Sequence, residues 1–329
     1  MKRPQRLLLA LPFAFTVMGS AVAQDAPQQS TPTQLVDALN GVFGQHAGAR
    51  AVHAKGIVLE GRFTPSPSAA SISKAPHLQA TTVPVTVRFS NFAGIPDIPD
   101  NHALASPRGL AIRFALPDGG STDIVAHSFN GFPSPTADDF RDLLTALGTS
   151  GPDAAKPTPL DAYLATHPVA KAFLTAPKPA PQSFATLPYY GVNTFKFTDA
   201  AGKVTFGRYQ FVPVSGSHFL SEAQTAKTKP DYLSDEIQQR VTQGAVRFKL
   251  VVQEAAQGDK LDDPSIAWPA SRPVVELGIL DITRAVADNV AAQKSLMFLP
   301  NNLPAGIEPQ DPMINARSAA YPVSFGRRQ

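Results

Sequence analysis

Five stretches of this chain switch between apolar and polar at every second residue, and that period constrains the fold more than any other feature. In "VPVTVRFS", Val83, Val85, Val87 and Phe89 share one face, while Thr86, Arg88 and Ser90 share the other. The period returns at Leu110/Ile112/Phe114 in "RGLAIRFAL", Phe195/Phe197 in "NTFKFT", Val204/Phe206 in "KVTFGRYQFVPV" and Val246/Phe248/Leu250 in "AVRFKLVVQEA". Such alternation belongs to strands with one face in a core. Helical periodicity appears at about residues 137–148, 232–243 and 281–293. Thr31-Pro32 can cap a further helix with Leu35, Leu39 and Val42 along one side. The proline-rich residues 151–188 and 254–275 are expected to form irregular, ordered loops. The pattern implies one α+β domain, with many antiparallel strands closing on a core and helices outside.

The N-terminus reads as a signal peptide over residues 1–23, which leaves a folded domain over 24–329. Lys2, Arg3 and Arg6 precede an apolar run, Leu7 to Val17, that is too short to span a bilayer, and Ala21-Val22-Ala23 is a small-residue cleavage pattern. Export is the expectation, with no membrane segment after cleavage. The leader holds three basic residues and no acid, so the net charge of +3 becomes 3 − 3 = 0 on its removal. No electrostatic case for nucleic acid remains. The chain has no cysteine, which excludes disulfides, thiolate nucleophiles and cysteine-ligated metals. Core packing must stabilise the fold, and 329 residues with 43% hydrophobic content suffice for that.

Histidine, arginine and tyrosine are left to carry chemistry. His53 opens "HAKGIVLEGRF", where Ile57, Leu59 and Phe63 share its parity. Two readings fit it: a satisfied core histidine, or a neutral proton shuttle in an apolar pocket, oriented through its other ring nitrogen by Ser90. Arg50, Arg88 and Arg113 sit beside apolar strand residues, either on a solvated face or turned inward to meet an anion. Near the C-terminus Arg317 stands four residues before Tyr321, so a helix would place both on one face. A guanidinium favours a phenolate, and a phenolate is a hard ligand for ferric iron; a surface tyrosine fits the spacing equally. The seven histidines show no i,i+4 pair, and no glycine-rich loop follows a strand, so neither zinc nor a nucleotide is expected.

Taken together, "RAVHAKG", "VRFSNFAG", "PRGLAIRF", "NNLPAGIEPQDPM" and "RSAAY" resemble, in order and approximate spacing, the haem catalase superfamily over most of residues 35–325. The resemblance implies a closed antiparallel eight-stranded β-barrel with surrounding helices and haem b buried beside it. It implies that His53 is the distal catalytic histidine and Ser90 its partner. Tyr321 would be the iron ligand, with Arg317 beside it. Arg50 and Arg88 would lie near the haem propionates, and Phe132 and Phe140 on the distal side. Val52 matches the catalase pattern rather than the threonine of the allene oxide synthase branch. The sequence departs from the family where a distal asparagine is expected: His127 stands there, with Asn130 three residues on. The helical C-terminal domain of larger catalases is absent after Tyr321, so the chain is similar to a catalase-related peroxidase, a minimal periplasmic core. The implied activity is reduction of organic hydroperoxides and hydrogen peroxide at the expense of an organic electron donor, by a monomer or homo-oligomer. True catalase activity and non-catalytic haem binding are the alternatives.

Overall fold

The computed structural model describes residues 29–329. The signal peptide expected over 1–23 lies outside the described residues. Ten strands form: β1 (Gly56–Pro65), β2 (Val83–Ser90), β3 (Gly109–Ala115), β4 (Ser121–His127), β5 (Tyr189–Tyr190), β6 (Phe195–Thr198), β7 (Val204–Pro213), β8 (Val246–Glu254), β9 (Val274–Ala285) and β10 (Ile307–Pro309). The helices are α1 (Pro32–Phe43), α2 (Ala137–Gly148), α3 (Pro159–Thr166), α4 (Pro168–Thr175), α5 (Glu222–Thr225), α6 (Tyr232–Gln243), α7 (Asn289–Ser295) and α8 (Met313–Gly326).

Eight strands close a ring in the order β1-β2-β3-β4-β5-β7-β8-β9, and every pairing is antiparallel. The other two, β6 and β10, extend the sheet from the first half of β7. The expected alternation fills the ring: Leu59, Phe63, Val87, Phe89, Ile112, Phe114, Phe248 and Leu280 are fully buried inside it. Because side chains fill the interior, the barrel is a packed core and not a pore. Ligand space must therefore lie on its outer face.

A helical layer provides the opposite wall. At the start of α1, Thr31 Oγ1 accepts from Gln34 N at 3.2 Å and Gln34 Oε1 accepts from Thr31 N at 2.8 Å, so the expected Thr31 cap is a reciprocal capping box. Leu35, Val36, Leu39 and Phe43 of α1 form a second apolar cluster with Leu144 of α2 and Ala320 of α8. A cleft runs between this layer and the barrel.

Three expectations are corrected. Residues 281–293 are not one helix: β9 runs to Ala285, and α7 begins only at Asn289. A bulge opposite Glu60/Gly61 breaks the two-residue period at the end of β9, and Ile282, Val286 and Val290 stand four apart, a spacing that mimics a helix. Residues 151–188 are not wholly irregular, since α3 and α4 form there with Pro159 and Pro168 at their first helical positions, where proline starts helices. His53 does not share the barrel-facing parity of Ile57, Leu59 and Phe63, because β1 starts only at Gly56 and the chain turns at His53 with φ 57°. Among the described residues, no helix is long and apolar enough to cross a membrane.

Candidate active site

The floor of the cleft is the outer face of β2, β3 and β4. Two cross-strand rows run across it, Arg88–Ala111–Val125 and Ser90–Gly109–His127. Small residues in the middle of both rows keep this floor flat. The face of α8 opposite presents Arg317, then Ala320 and Tyr321, then Ser324 and Phe325, groups that recur every three to four residues as a helix requires. Leu35, Val36 and Leu39 of α1 close one side, and Phe132 and Phe140 another, their rings 4.9 Å apart. The cleft encloses ≈ 1550 Å³ counting its mouth.

His53 is the only non-glycine residue among those described with a positive φ. A histidine in that conformation needs outside support. Its N–H donates to Phe92 O at 2.7 Å, and Arg88 Nη2 donates to His53 O at 2.9 Å. The turn directs the ring over the floor, where Ser90 Oγ lies 3.0 Å from Nδ1 and Phe92 meets the ring edge to face at 5.6 Å. That contact occupies Nδ1 and leaves Nε2 as the nitrogen for a ligand. Burial, with Arg88 and His127 nearby, lowers the His53 pKa to about 3, so the ring is neutral at physiological pH. Gly109 makes the pair possible: a Cβ there would stand 2.5 Å from Ser90 Oγ and 2.7 Å from His53 Nδ1.

At the other end of the cleft three guanidiniums converge, and among the described residues no carboxylate pairs with them. The C-terminal end of α7 gathers them. Arg50 Nη2 donates to the carbonyls of Gln293 (3.1 Å) and Leu296 (2.9 Å). Arg328 Nη2 shares Leu296 O, and Arg88 donates to Gln293 Oε1 through Nε (3.0 Å) and Nη2 (2.7 Å). Burial and mutual repulsion lower the Arg50 pKa to about 7, and burial with Arg328 nearby lowers that of Arg88 to about 9. Arg328 Nε is buried without a partner. Such a cluster is suited to a multiply charged anion.

On α8, Arg317 donates to the Tyr321 oxygen through Nη2 at 2.9 Å and Nε at 3.3 Å. Arg317 Nη1 donates to Asn193 Oδ1 at 2.5 Å, and Asn193 Nδ2 donates to Asp311 Oδ2 at 2.7 Å. Asp311 is buried, and burial raises its pKa. The guanidinium is thus fixed at both ends over the phenol oxygen.

His127 lies on the floor with both ring nitrogens buried and unpartnered. Burial, then Arg317 and Lys178, lowers its pKa to about 3. Unsatisfied ring nitrogens facing a cleft suit a polar ligand.

The structure therefore brings together His53, Ser90, His127, Arg50, Arg88, Phe132, Phe140, Arg317 and Tyr321 around one cleft. Asn130 is not among them: it is exposed and lines a separate cavity, because the strand ends at His127 and the chain turns away. Arg113 is not available for a ligand either, being paired with Asp123 through two 2.8 Å bonds. Arg328, Gln293, Asn193 and Asp311 go beyond the sequence expectation. The spacing 317-321-324-328 carries the signal for Arg328, one helix face continued by a further turn.

Comparison with known proteins adds a family, three relatives and one solved structure. A family profile described as Catalase matches residues 19–328. A catalase-related peroxidase of Mycolicibacterium paratuberculosis is 37% identical over 302 residues, covering 91% of this chain and 95% of that protein. One from Synechococcus elongatus is 31% identical, covering 98% and 96%. A catalase of Alkalihalophilus pseudofirmus is 30% identical over 83% of this chain but only 43% of its own length. In fold, a bacterial catalase structure superposes with a TM-score of 0.75 at 21% identity, covering 95% of this chain and 63% of that one.

Proposed function

Because this chain belongs to the catalase family, we propose that it is a haem-dependent peroxidase reducing organic hydroperoxides and hydrogen peroxide at the expense of an organic electron donor. The observation that carries the reading is a histidine on one wall of the cleft, fixed by Ser90, facing a tyrosine on the other wall whose oxygen receives two guanidinium N–H bonds. A planar dianionic haem b fits the residues present. The flat floor would suit a planar ring, the arginine cluster would suit its carboxylates, and the unpartnered His127 ring nitrogens would suit a polar ligand. Tyr321 would hold the iron, and Arg50, Arg88 and Arg328 the propionates.

When bound, haem would supply a ferric centre able to cleave the peroxide O–O bond and to store two oxidising equivalents. The protein's part is positioning and proton movement. His53 Nε2 takes the proton from the inner peroxide oxygen and returns it to the outer oxygen, which leaves as water or alcohol. Ser90 holds the ring in place throughout. A low imidazole pKa keeps Nε2 ready to accept over the whole physiological range. Arg317, tied back through Asn193 to Asp311, favours the anionic oxygen that a ligating tyrosine presents.

Two features favour donor oxidation over disproportionation of hydrogen peroxide. The relatives matched over nearly their whole length are catalase-related peroxidases. The second distal polar group is the ring of His127, not a side-chain amide. We further propose that the enzyme works in the periplasm after loss of residues 1–23, which mass spectrometry of the mature chain tests. The decisive experiment pairs a visible spectrum with peroxide assays. Wild type shows a high-spin ferric spectrum of the tyrosinate type, and Tyr321→Phe loses or shifts it. Oxidation of a phenolic donor outpaces oxygen release. Oxygen release that outpaces donor oxidation assigns the chain as a true catalase, and haem binding without peroxide turnover assigns it as a carrier.

A further inference from the structure

A second cavity, ≈ 610 Å³ counting its mouth, lies against the distal side of the cleft. The wall between them carries one cross-strand backbone pair and one aromatic contact. His127 of β4 is the direct cross-strand partner of Tyr190 of β5, and His127 faces the cleft while Tyr190 lines the second cavity. Phe173, which lines the cleft, meets Phe129, which lines the cavity, edge to face at 5.0 Å.

The lining has a definite chemistry. Phe129, Phe219, Tyr190 and four prolines, Pro177, Pro179, Pro181 and Pro188, give rigid, flat, apolar walls. The charged groups are both basic, Lys178 and Arg108, and no acid lines the cavity. Lys178 Nζ stands 4.8 Å from the ring centres of both Phe129 and Phe173 and donates to the carbonyls of Phe173 (2.5 Å) and Ala176 (3.2 Å). An ammonium has three protons, so one remains, and no carboxylate pairs with it among the described residues. Arg108 is 1% exposed, and its Nε is buried without a partner. Asn130 adds an exposed amide at the rim.

We propose that this cavity binds the electron donor and that the donor is a phenol bearing a carboxylate, its ring between the aromatic and proline walls and its anionic group on Lys178. The inference rests on the peroxidase reading above. Two phenols each give up one electron and one proton. The O–O bond of the hydroperoxide breaks, and the products are one alcohol, one water and two phenoxyl radicals. The electrons would pass through the wall that holds Tyr190, His127, Phe129 and Phe173. The donor need not enter the cleft that holds the peroxide, so the two substrates do not compete.

The test uses holoenzyme with 4-hydroxyphenylacetate and, as the uncharged control, 4-methylphenol. Calorimetric binding without peroxide is measured first, then donor oxidation with it. The expected result is a Kd for 4-hydroxyphenylacetate that rises about tenfold or more in Lys178→Gln, the loss typical of one charge-assisted contact, while that for 4-methylphenol moves far less. Phe219→Ala alters a side chain that is already 42% exposed and weakens both ligands. Unchanged affinity for the anion in both variants, or no binding to wild type, overturns the proposal. Lost binding with intact oxidation of the anionic phenol overturns the subsite and leaves the peroxidase reading standing. Binding through Lys178 by an enzyme that releases only oxygen overturns the donor role together with that reading.

Discussion

A single missing side chain controls the distal pair. Gly109 separates Ser90 and His127 in the cross-strand row, and a methyl group there would strike both Ser90 Oγ and His53 Nδ1. In Gly109→Ala, we expect peroxide reduction to fall by about 10²–10⁴-fold, the usual contribution of a positioned acid–base group, with the ferric spectrum retained. Stopped-flow peroxide consumption checks this. Arg328 acts with opposite signs on the empty and the filled protein. Its Nε is buried without a partner, and its charge lowers the pKa of both Arg50 and Arg88. Arg328→Leu is expected to stabilise the apoprotein by about 1 kcal/mol while speeding haem loss, read by thermal melts of apoprotein and by haem transfer to a scavenger protein. At this scale the sequence carries much of the site. His53, Ser90, Arg317 and Tyr321 follow from motif and spacing. His53 nevertheless reaches the cleft through a positive φ that no parity rule encodes, and Asn130 is lost to a turn that sequence spacing does not show.

Secondary-structure elements were legible where one residue period persisted. The burial of β3 and of the first half of β2 follows the alternation of their sequences, while Arg88 and Ser90 at the end of β2 are buried under the cleft; the residue 137–148 and 232–243 patterns are the helices α2 and α6. The pattern fails at β9, whose bulges shift the phase twice, and at α3 and α4, which begin on prolines that read as breakers. The 281–293 pattern does reach α7, whose C-terminal carbonyls and Gln293 collect the arginines, but it starts that helix too early, inside β9. At α1 the capping box secures a helix that forms one side of the cleft. Thr31→Ala is expected to cost about 1 kcal/mol, lowering the melting temperature by a few degrees in a calorimetric scan.

At the scale of the molecule, the closed barrel fixes how stability responds to acid. His77 sits inside it, 1% exposed, with both ring nitrogens unpartnered and its ring 5.0 Å from that of Phe114. Burial lowers its pKa to about 3, against an ordinary value of 6.5. The unfolded chain therefore binds a proton as the pH drops through 6.5, and the folded chain does not until about 3, so stability is lost across that window. His53 and His127 act in the same direction. His77→Leu should leave stability at pH 7 equal or higher and flatten the decline toward pH 4.5, as read from urea midpoints at the two values. The arginine cluster adds a further asymmetry. Guanidiniums held together with no acid beside them among the described residues disfavour one another's charge, so a dianion seated on them would make the filled molecule tighter than the empty one. A protease that samples both would remove the empty copies first. The residues that seat the ligand would thereby also sort the population, and finished enzyme would accumulate without a dedicated inspector.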